Sequence, residues 1–220
     1  MSRILLKVGG AAAASASEVV FHHLANGYEV CVVHGAGPQI SAEMERRGLP
    51  VRFVGGKRVT DAGALEVVTE SLAAVNASLC RALPGSVGLV GVLEAVPVPE
   101  LGGLGLVGEP LPHAPAEVVA ALAAGRIPVV APLAPGLNVN ADDAAAALAV
   151  GLGAERLLFV TDVPGLLLED EVVGSIEADH ADRLLGAGVF EGGIVPKLIA
   201  AVRAVRGGVD AHIGETAVLP

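Results

Sequence analysis

The feature that most constrains this chain is a recurring one: short, continuous apolar runs that stop on turn residues and give way to helical stretches. Ile4 to Val8 ends at Gly9-Gly10, Tyr28 to Val33 runs into His34-Gly35-Ala36-Gly37-Pro38, and Ile127 to Ala131 and Arg156 to Thr161 repeat the pattern. Runs of this length bounded by glycine and proline read as buried strands. Between them, Ser15-Ala16-Ser17-Glu18 has the spacing of a capping box and opens a helix that stops at Gly27. Pro38 starts a helix that closes at Gly48, and Thr60 caps a long one from Asp61 to about Leu83, ended by Pro84-Gly85. Further helices are predicted over Pro115–Ala124, after Asp142-Asp143, over Asp179–Leu185 and around Lys197. Val51–Val59 and Leu167–Gly174 read as short hairpins, Val96–Val107 as an irregular hairpin, Ser86–Leu93 as a strand and Val209–Ile213 as the last strand. Strands alternating with helices predict an α/β fold with a mainly parallel sheet covered on both faces. Ligands of such sheets collect beyond the carboxyl ends of strands, where Lys7, His34 and Asn138 fall.

At 220 residues the chain is large enough to bury its own core as one domain. Its 53% hydrophobic content does not make it a membrane protein by this criterion, because the longest uncharged run, Ile127 to Ala141, is 15 residues and holds three prolines. No basic, apolar leader precedes the first strand, and the expected compartment is the cytoplasm. Cys31 in a strand and Cys80 on a helix read as small buried hydrophobes, and His22 and His23 as surface. A formal charge of -10 with 2% aromatics lacks the basic stripe and stacking platform of a nucleic-acid binder.

The chemistry gathers around residues 138 to 165, where Asn138-Val139-Asn140-Ala141-Asp142-Asp143 leads through an alanine-rich helix and a strand to Asp162-Val163-Pro164-Gly165. Asn and Asp suit helix N-termini, whose free N–H groups and dipole also attract anions. Two lysines beside glycine pairs complement that terminus: Lys7 in Lys7-Val8-Gly9-Gly10, and Lys197 in Gly192-Gly193-Ile194-Val195-Pro196-Lys197. Phosphoryl transfer needs mainly positioning and neutralisation of charge on the moving group. Two lysines supply the neutralisation, a carboxylate between them holds both, and glycines admit backbone N–H groups to phosphate oxygens. Asp142 alone would be read as a helix cap, Arg58 as a surface charge and His34 as a hydrogen-bonded strand end. Gly35-Ala36-Gly37 is not a dinucleotide fingerprint, since Ile40 stands where the third glycine belongs.

The ordered set Lys7-Val8-Gly9-Gly10, His34-Gly35-Ala36-Gly37-Pro38, Gly56-Lys57-Arg58-Val59-Thr60-Asp61, Asn138-Val139-Asn140-Ala141-Asp142, Thr161-Asp162-Val163-Pro164-Gly165 and Gly192-Gly193-Ile194-Val195-Pro196-Lys197 resembles the amino-acid kinase family, and within it the acetylglutamate kinases. The resemblance is collinear over nearly the whole chain and takes its specificity from the order of the motifs. It implies a three-layer sandwich around a mainly parallel sheet, with residues 1–135 on the substrate side and 136–220 on the nucleotide side. It also implies transfer of the ATP γ-phosphoryl to the side-chain carboxylate of N-acetyl-L-glutamate, a step of arginine biosynthesis. In that reading Lys7 and Lys197 stabilise the transferring group and Asp142 orients both. Gly35, Ala36, Arg58 and Asn138 contact the acetylamino acid, Arg58 pairing a carboxylate. Gly9, Gly10, Asp162, Val163, Pro164, Gly165, Leu166, Leu167, Val189, Phe190 and Glu191 line the nucleotide. The acceptor carboxylate is ionised near neutral pH and needs no base. Mg2+ bridges ATP oxygens through phosphate and water, with no protein ligand set of its own.

Ala36 stands where the family carries a glycine, which is tolerable unless that residue takes positive φ. No counterpart of the family's closing Gly-Thr strand is visible before Pro220, so an edge of the nucleotide side is expected to be missing or rearranged. The first strand starts almost at Met1, without the helix that links arginine-inhibited members into hexamers; an arginine-insensitive homodimer is the expectation. Two other readings stand beside this one. A kinase for carrier-linked aminoadipate or glutamate would need a basic docking surface, and a silent amino-acid or nucleotide sensor would not need Lys7, Asp142 and Lys197 together.

Overall fold

The computed structural model describes residues 2–9, 13–98, 103–161, 163–169 and 171–220. In chain order its elements are β1 (Arg3–Val8), α1 (Ala13–Ala25), β2 (Glu29–His34), α2 (Gly37–Arg46), β3 (Phe53–Val54), β4 (Lys57–Arg58), α3 (Ala62–Ala82), β5 (Ser86–Leu89), β6 (Ala95–Pro97), β7 (Val107–Pro110), α4 (Ala116–Ala123) and β8 (Ile127–Val130). They continue with β9 (Leu133–Ala134), β10 (Leu137–Val139), α5 (Ala141–Gly151), β11 (Arg156–Val160), β12 (Leu167–Leu168), β13 (Glu171–Val172), β14 (Ser175–Glu177), α6 (Ala178–Gly186), α7 (Ile194–Arg206), β15 (Asp210–Ile213) and β16 (Thr216–Leu219).

One eight-stranded sheet, in the order β14-β16-β15-β11-β1-β2-β8-β5, forms the middle layer. The run from β15 to β5 is parallel throughout, and β16 turns back antiparallel to β15 with β14 parallel to it at the edge. The fully buried strands look uniformly apolar in sequence, yet their alternation divides them between two faces. Leu5, Cys31, Val33, Leu157 and Phe159 face one core with α4, α5 and α7, whereas Ile4, Leu6, Val8, Val30 and Val32 face the other with α1 and α3. Each large side chain so buried contributes about 1.5–3 kcal/mol. The architecture is the expected three-layer sandwich.

Where the strands lead matters for the site. A smaller sheet, β6-β7-β10-β9, stands beside the main one, and β10 hands the chain to α5. Buried alanines, Ala144, Ala145, Ala146 and Ala149 of α5 and Ala200, Ala201 and Ala204 of α7, let these two helices pack closely side by side on the sheet. β3 and β4 form an isolated hairpin whose turn residues Gly55 and Gly56 both have positive φ, 55° and 76°, the conformation of a tight two-residue turn.

Several expectations need correction. α1 begins at Ala13, so the Ser15–Glu18 motif lies inside the helix rather than at its start. Asp61, not Thr60, caps α3, its carboxylate accepting from Ala64 N at 2.8 Å; Thr60 is fully buried and bonds to Arg58 O and Leu104 O instead. The last strand is β16, so the nucleotide-side edge is closed by β16 and β14 rather than missing. Apolar residues of β16 are only half of a pattern interrupted by Gly214 and Glu215, too short to stand out as a strand by periodicity.

Candidate active site

Two cavities open beyond the carboxyl ends of the central strands. The first, 530 Å³, is lined by Lys7 and Gly9 after β1, by Gly35 to Pro38 after β2, by Arg58 of the hairpin, and by Asn138 to Asp142 between β10 and α5. The second, 450 Å³, is lined by Thr161, Val163, Gly165 and Leu167 after β11 and by Val189, Phe190, Glu191 and Ile194 before and within α7. Gly193 and Lys197 belong to both. Lys197 therefore stands at the junction of two chambers.

In the first cavity, Lys7 Nζ lies 2.8 Å from Asp142 Oδ1, with only 8% of either side chain exposed. Asp142 Oδ1 receives no directed hydrogen bond, so the pair is held by charge. Asp142 is not the helix cap: Asn140 is, its side-chain oxygen accepting from the backbone N–H of Asp142 and Asp143 at 2.8 and 3.1 Å. The carboxylate of Asp142 is thereby left free for the lysine. Lys197 Nζ donates to Gly193 O at 2.9 Å, one helical turn back, and makes no ion pair among the described residues. Burial lowers its pKa, the charge of Asp142 opposes that and the charge of Lys7 adds to it. The three predicted residues meet, but Asp142 touches Lys7 and acts on Lys197 only through its field.

Arg58 is buried, 7% exposed. Its guanidinium donates to Gly37 O at 3.1 Å, to Ser41 Oγ at 2.8 Å and to Met44 Sδ at 3.3 Å, and lies 4.7 Å over the Phe53 ring. All of these partners are neutral, and burial alone lowers its pKa. Asn138 Nδ2 donates to Thr60 Oγ1 at 3.0 Å. Ala36 caps α2 at φ -146°, where a methyl group is unstrained. Neither α2 nor α7 has a side-chain cap or an acidic residue in its first turn, so no carboxylate there offsets the positive dipole end that each turns to the cavity.

In the second cavity Val163, Leu167 and Val189 are exposed hydrophobics gathered at one cleft, an apolar surface suited to a planar base. Gly165 has no room for a side chain, as an added Cβ would come within 2.7 Å of Thr216 Oγ1. That hydroxyl accepts from Leu166 N at 2.8 Å and donates to Val173 O at 2.6 Å, pinning the turn to β16.

Against the sequence expectations, Lys7, Asp142, Lys197, Gly35, Ala36, Arg58 and Asn138 share one cavity. Val163, Gly165, Leu167, Val189, Phe190 and Glu191 line the other. Gly9, expected at the nucleotide, lines the first cavity instead. Leu166 is fully buried in the core and Pro164 turns outward, its carbonyl accepting from Glu215 N at 2.7 Å. Gly10 and Asp162 lie outside the described residues. His34 is fully buried and forms no part of either lining; its Nδ1 faces Gly35 O and its Nε2 faces the Asn76 amide, and burial lowers its pKa to about 4. Cys31 is likewise sealed in, its thiol pushed up to about 12 by burial. Sequence reasoning missed Thr216 and Phe53, for which no motif spacing gives a signal; Lys57, Thr161 and Gly193 lay within motifs already singled out.

The sequence profile of the amino acid kinase family matches residues 2–215. The chain is 44% identical over 227 residues to the acetylglutamate kinase of Rubrobacter xylanophilus, covering 97% of this chain and 88% of that one. It is 40% identical to the acetylglutamate kinase of a Nocardioides species, covering 94% and 75%. Among solved structures, a Streptococcus mutans protein superposes with a TM-score of 0.86 at 27% identity, covering 99% of this chain and 98% of that one.

Proposed function

Because the chain belongs to the amino-acid kinase family, we propose that it is an ATP-dependent kinase whose acceptor is the side-chain carboxylate of N-acetyl-L-glutamate. The observation that carries this reading is the pair of separated positive regions in the first cavity. Arg58 is a buried guanidinium with neutral partners only among the described residues, and Lys7 with Lys197 forms a second cationic pole next to the nucleotide cleft. A buried cation without an anionic partner is costly, and a ligand carboxylate removes that cost. A dicarboxylate with one group on Arg58 and the other aimed at the lysines fits both poles, and its acetamido group lies near Gly35, Ala36 and Asn138.

In this reading ATP enters the second cavity with its base on Val163, Leu167 and Val189, the Gly165 turn and residues 189–191 enclosing it, and its phosphates point towards the N-terminus of α7. A carboxylate oxygen of the acceptor attacks the γ-phosphorus, the bond to the β,γ-bridging oxygen breaks, ADP leaves, and a mixed acyl-phosphate anhydride forms. The acceptor is ionised at neutral pH, so no side chain takes a proton. Lys7 and Lys197 neutralise the oxygens of the moving group from opposite sides, and Asp142 holds Lys7 in place. Among the described residues, the one buried acid lining this cavity, Asp142, is committed to Lys7, a donor set that suits a Mg2+ ion carried in by the nucleotide. When bound, that ion shields the phosphate charges; the protein's part is to seat the phosphates. Residues 1–135 then supply most acceptor contacts and 136–220 the nucleotide contacts. A cytoplasmic homodimer completes the proposal, and light scattering tests its assembly.

The deciding experiment is ADP release, followed by a coupled assay, with N-acetylglutamate, glutamate, aspartate, carbamate and UMP as acceptors. The highest kcat/KM is expected for N-acetylglutamate. A preference for any of the others, or no turnover with any, overturns the assignment.

A further inference from the structure

A second charged cluster borders the acceptor cavity, with Lys57 in the wall of that cavity and Glu109, Asp143 and Arg203 outside its lining, and neither pole described above includes it. Lys57 Nζ contacts Glu109 Oε2 and lies 3.2 Å from Asp143 Oδ2, while Arg203 Nη1 lies 2.6 Å from Glu109 Oε1 and 3.0 Å from Asp143 Oδ1. Each cation touches both anions, closing a square. Asp143 is the most enclosed corner, 8% exposed. The corners come from four elements far apart in sequence, and each adjoins the site. Lys57 precedes Arg58, Asp143 follows Asp142, and Arg203 rides the helix of Lys197. Glu109 follows Gly108, whose strand pairs with that of Asn138.

We infer that this square positions the acceptor-binding hairpin against the phosphoryl-binding helices, with Lys57 and Asp143 as positioning residues for the transfer that the proposed function describes. The hairpin is otherwise tied by Arg58 to α2 and, just past its end, by Thr60 to Leu104, Leu106 and Asn138. β3 and β4 are two residues each and pair with no other strand, and Phe53 is 55% exposed. A lone two-stranded ribbon is marginal in water. Arg58 ties its end to α2, but nothing in those bonds fixes its distance to Lys197 on α7. Among the described residues, the side-chain ion pairs that join β4 to α5 and α7 are those of the square. Burial pushes the Asp143 carboxyl up, opposed by the charge of Lys57, so this corner depends on its cations.

A stabilising cluster with no positioning role would change melting temperature without distinguishing the two substrates. The test compares Asp143→Asn, Lys57→Met and Lys57→Arg, assayed well below melting. Asp143→Asn and Lys57→Met are each expected to lower kcat/KM for N-acetylglutamate by about tenfold to a hundredfold, with the KM for ATP within about twofold, because a small misplacement of reacting groups costs that much. Lys57→Arg restores most of the loss. Amide exchange of residues 53–58 is measured in parallel, without substrate, and should speed up about tenfold or more in Asp143→Asn and Lys57→Met as the hairpin opens locally. Unchanged hairpin exchange overturns the inference, as does an equal rise in the KM of both substrates or failure of Lys57→Arg to rescue. A wild-type protein inactive on N-acetylglutamate would count against the proposed acceptor, and the exchange arm would still decide on the square.

Discussion

Changing Asp142 to Asn preserves shape and deletes one charge, which makes it the cleanest probe of the catalytic pole. The carboxylate lies 2.8 Å from the Lys7 ammonium. At an effective dielectric constant of about 20, that separation corresponds to a gross attraction of about 6 kcal/mol, most of which offsets desolvation of the two groups. The part expressed only as charge builds on the moving phosphoryl is about 3–4 kcal/mol, typical of one preorganised electrostatic contact, or roughly a hundredfold to thousandfold in kcat. Both KM values should change by less than about threefold, because ground-state binding is largely kept. The cap of α5 survives, since Asn140 provides it. Lys7 does lose its counterion, so some stability goes with it: about 1–3 kcal/mol, reduced by water in the open cavity, or about 2–4 °C of Tm per kcal/mol for a domain this size. A second signature follows from Lys197. Asp142 holds the Lys197 pKa up against burial and against Lys7. Lys197 acts protonated, so activity falls as pH rises through its pKa. Deleting Asp142 lowers that pKa further, and the alkaline limb of kcat moves to lower pH. The assay is kcat against pH at saturating MgATP and N-acetylglutamate, with Tm measured beside it. Near wild-type kcat, a loss confined to KM, or an alkaline limb that moves upward would refute the assigned role.

Arg58→Ala should raise the KM for N-acetylglutamate about tenfold to a hundredfold, the loss of a charge-assisted contact of about 1.5–3 kcal/mol, and leave the KM for ATP nearly unchanged; steady-state kinetics with each substrate varied would show otherwise as equal effects. Thr216→Val removes both hydrogen bonds that pin the Val163–Leu168 turn and should raise the KM for ATP with little effect on the acceptor, at a cost of about 1–3 kcal/mol in denaturant melts. Its failure to separate the two substrates would count against the nucleotide assignment of the second cavity. His34 is kept neutral in the fold, with a pKa near 4. The unfolded chain takes up this proton first as pH falls below its ordinary value, so the contribution is full above about pH 6.5 and is lost by about pH 4, amounting to about 3 kcal/mol. Urea melts across that range should show the slope, and His34→Gln should flatten it.

The central strands were legible because continuous apolar runs ending on glycine have few other uses, and the helices were legible from the glycine and proline punctuation between those strands. Their boundaries shifted by a residue or two, as with Glu29–His34 against Tyr28–Val33. What could not be read were features that depend on partners distant in sequence. Asp61 and Thr60 are both good caps, and only the buried bridge of Thr60 to Gly105 decides between them. The hairpin of β9 and β10 is held by pairing with β7 rather than by its own pattern. Of the candidate site, Lys7, Asp142 and Lys197, which line one cavity, were singled out from glycine neighbours and order along the chain. That Asp142 pairs with Lys7 while Lys197 bonds to Gly193 is a matter of helix geometry, invisible to spacing. Leu166 looked like part of a binding turn because the turn is one, but alternate residues of an extended segment point inward.

The central claim is that a carboxylate is phosphorylated at a site governed by Lys7, Asp142 and Lys197, and trapping the product tests it most directly. With hydroxylamine present, an acyl phosphate becomes a hydroxamate that can be quantified against ADP. The account predicts about one hydroxamate of N-acetylglutamate per ADP for the wild-type protein, and both signals reduced together, roughly a hundredfold or more, in Lys197→Ala. ADP released without hydroxamate, or hydroxamate formed by Lys197→Ala at the wild-type rate, would contradict it.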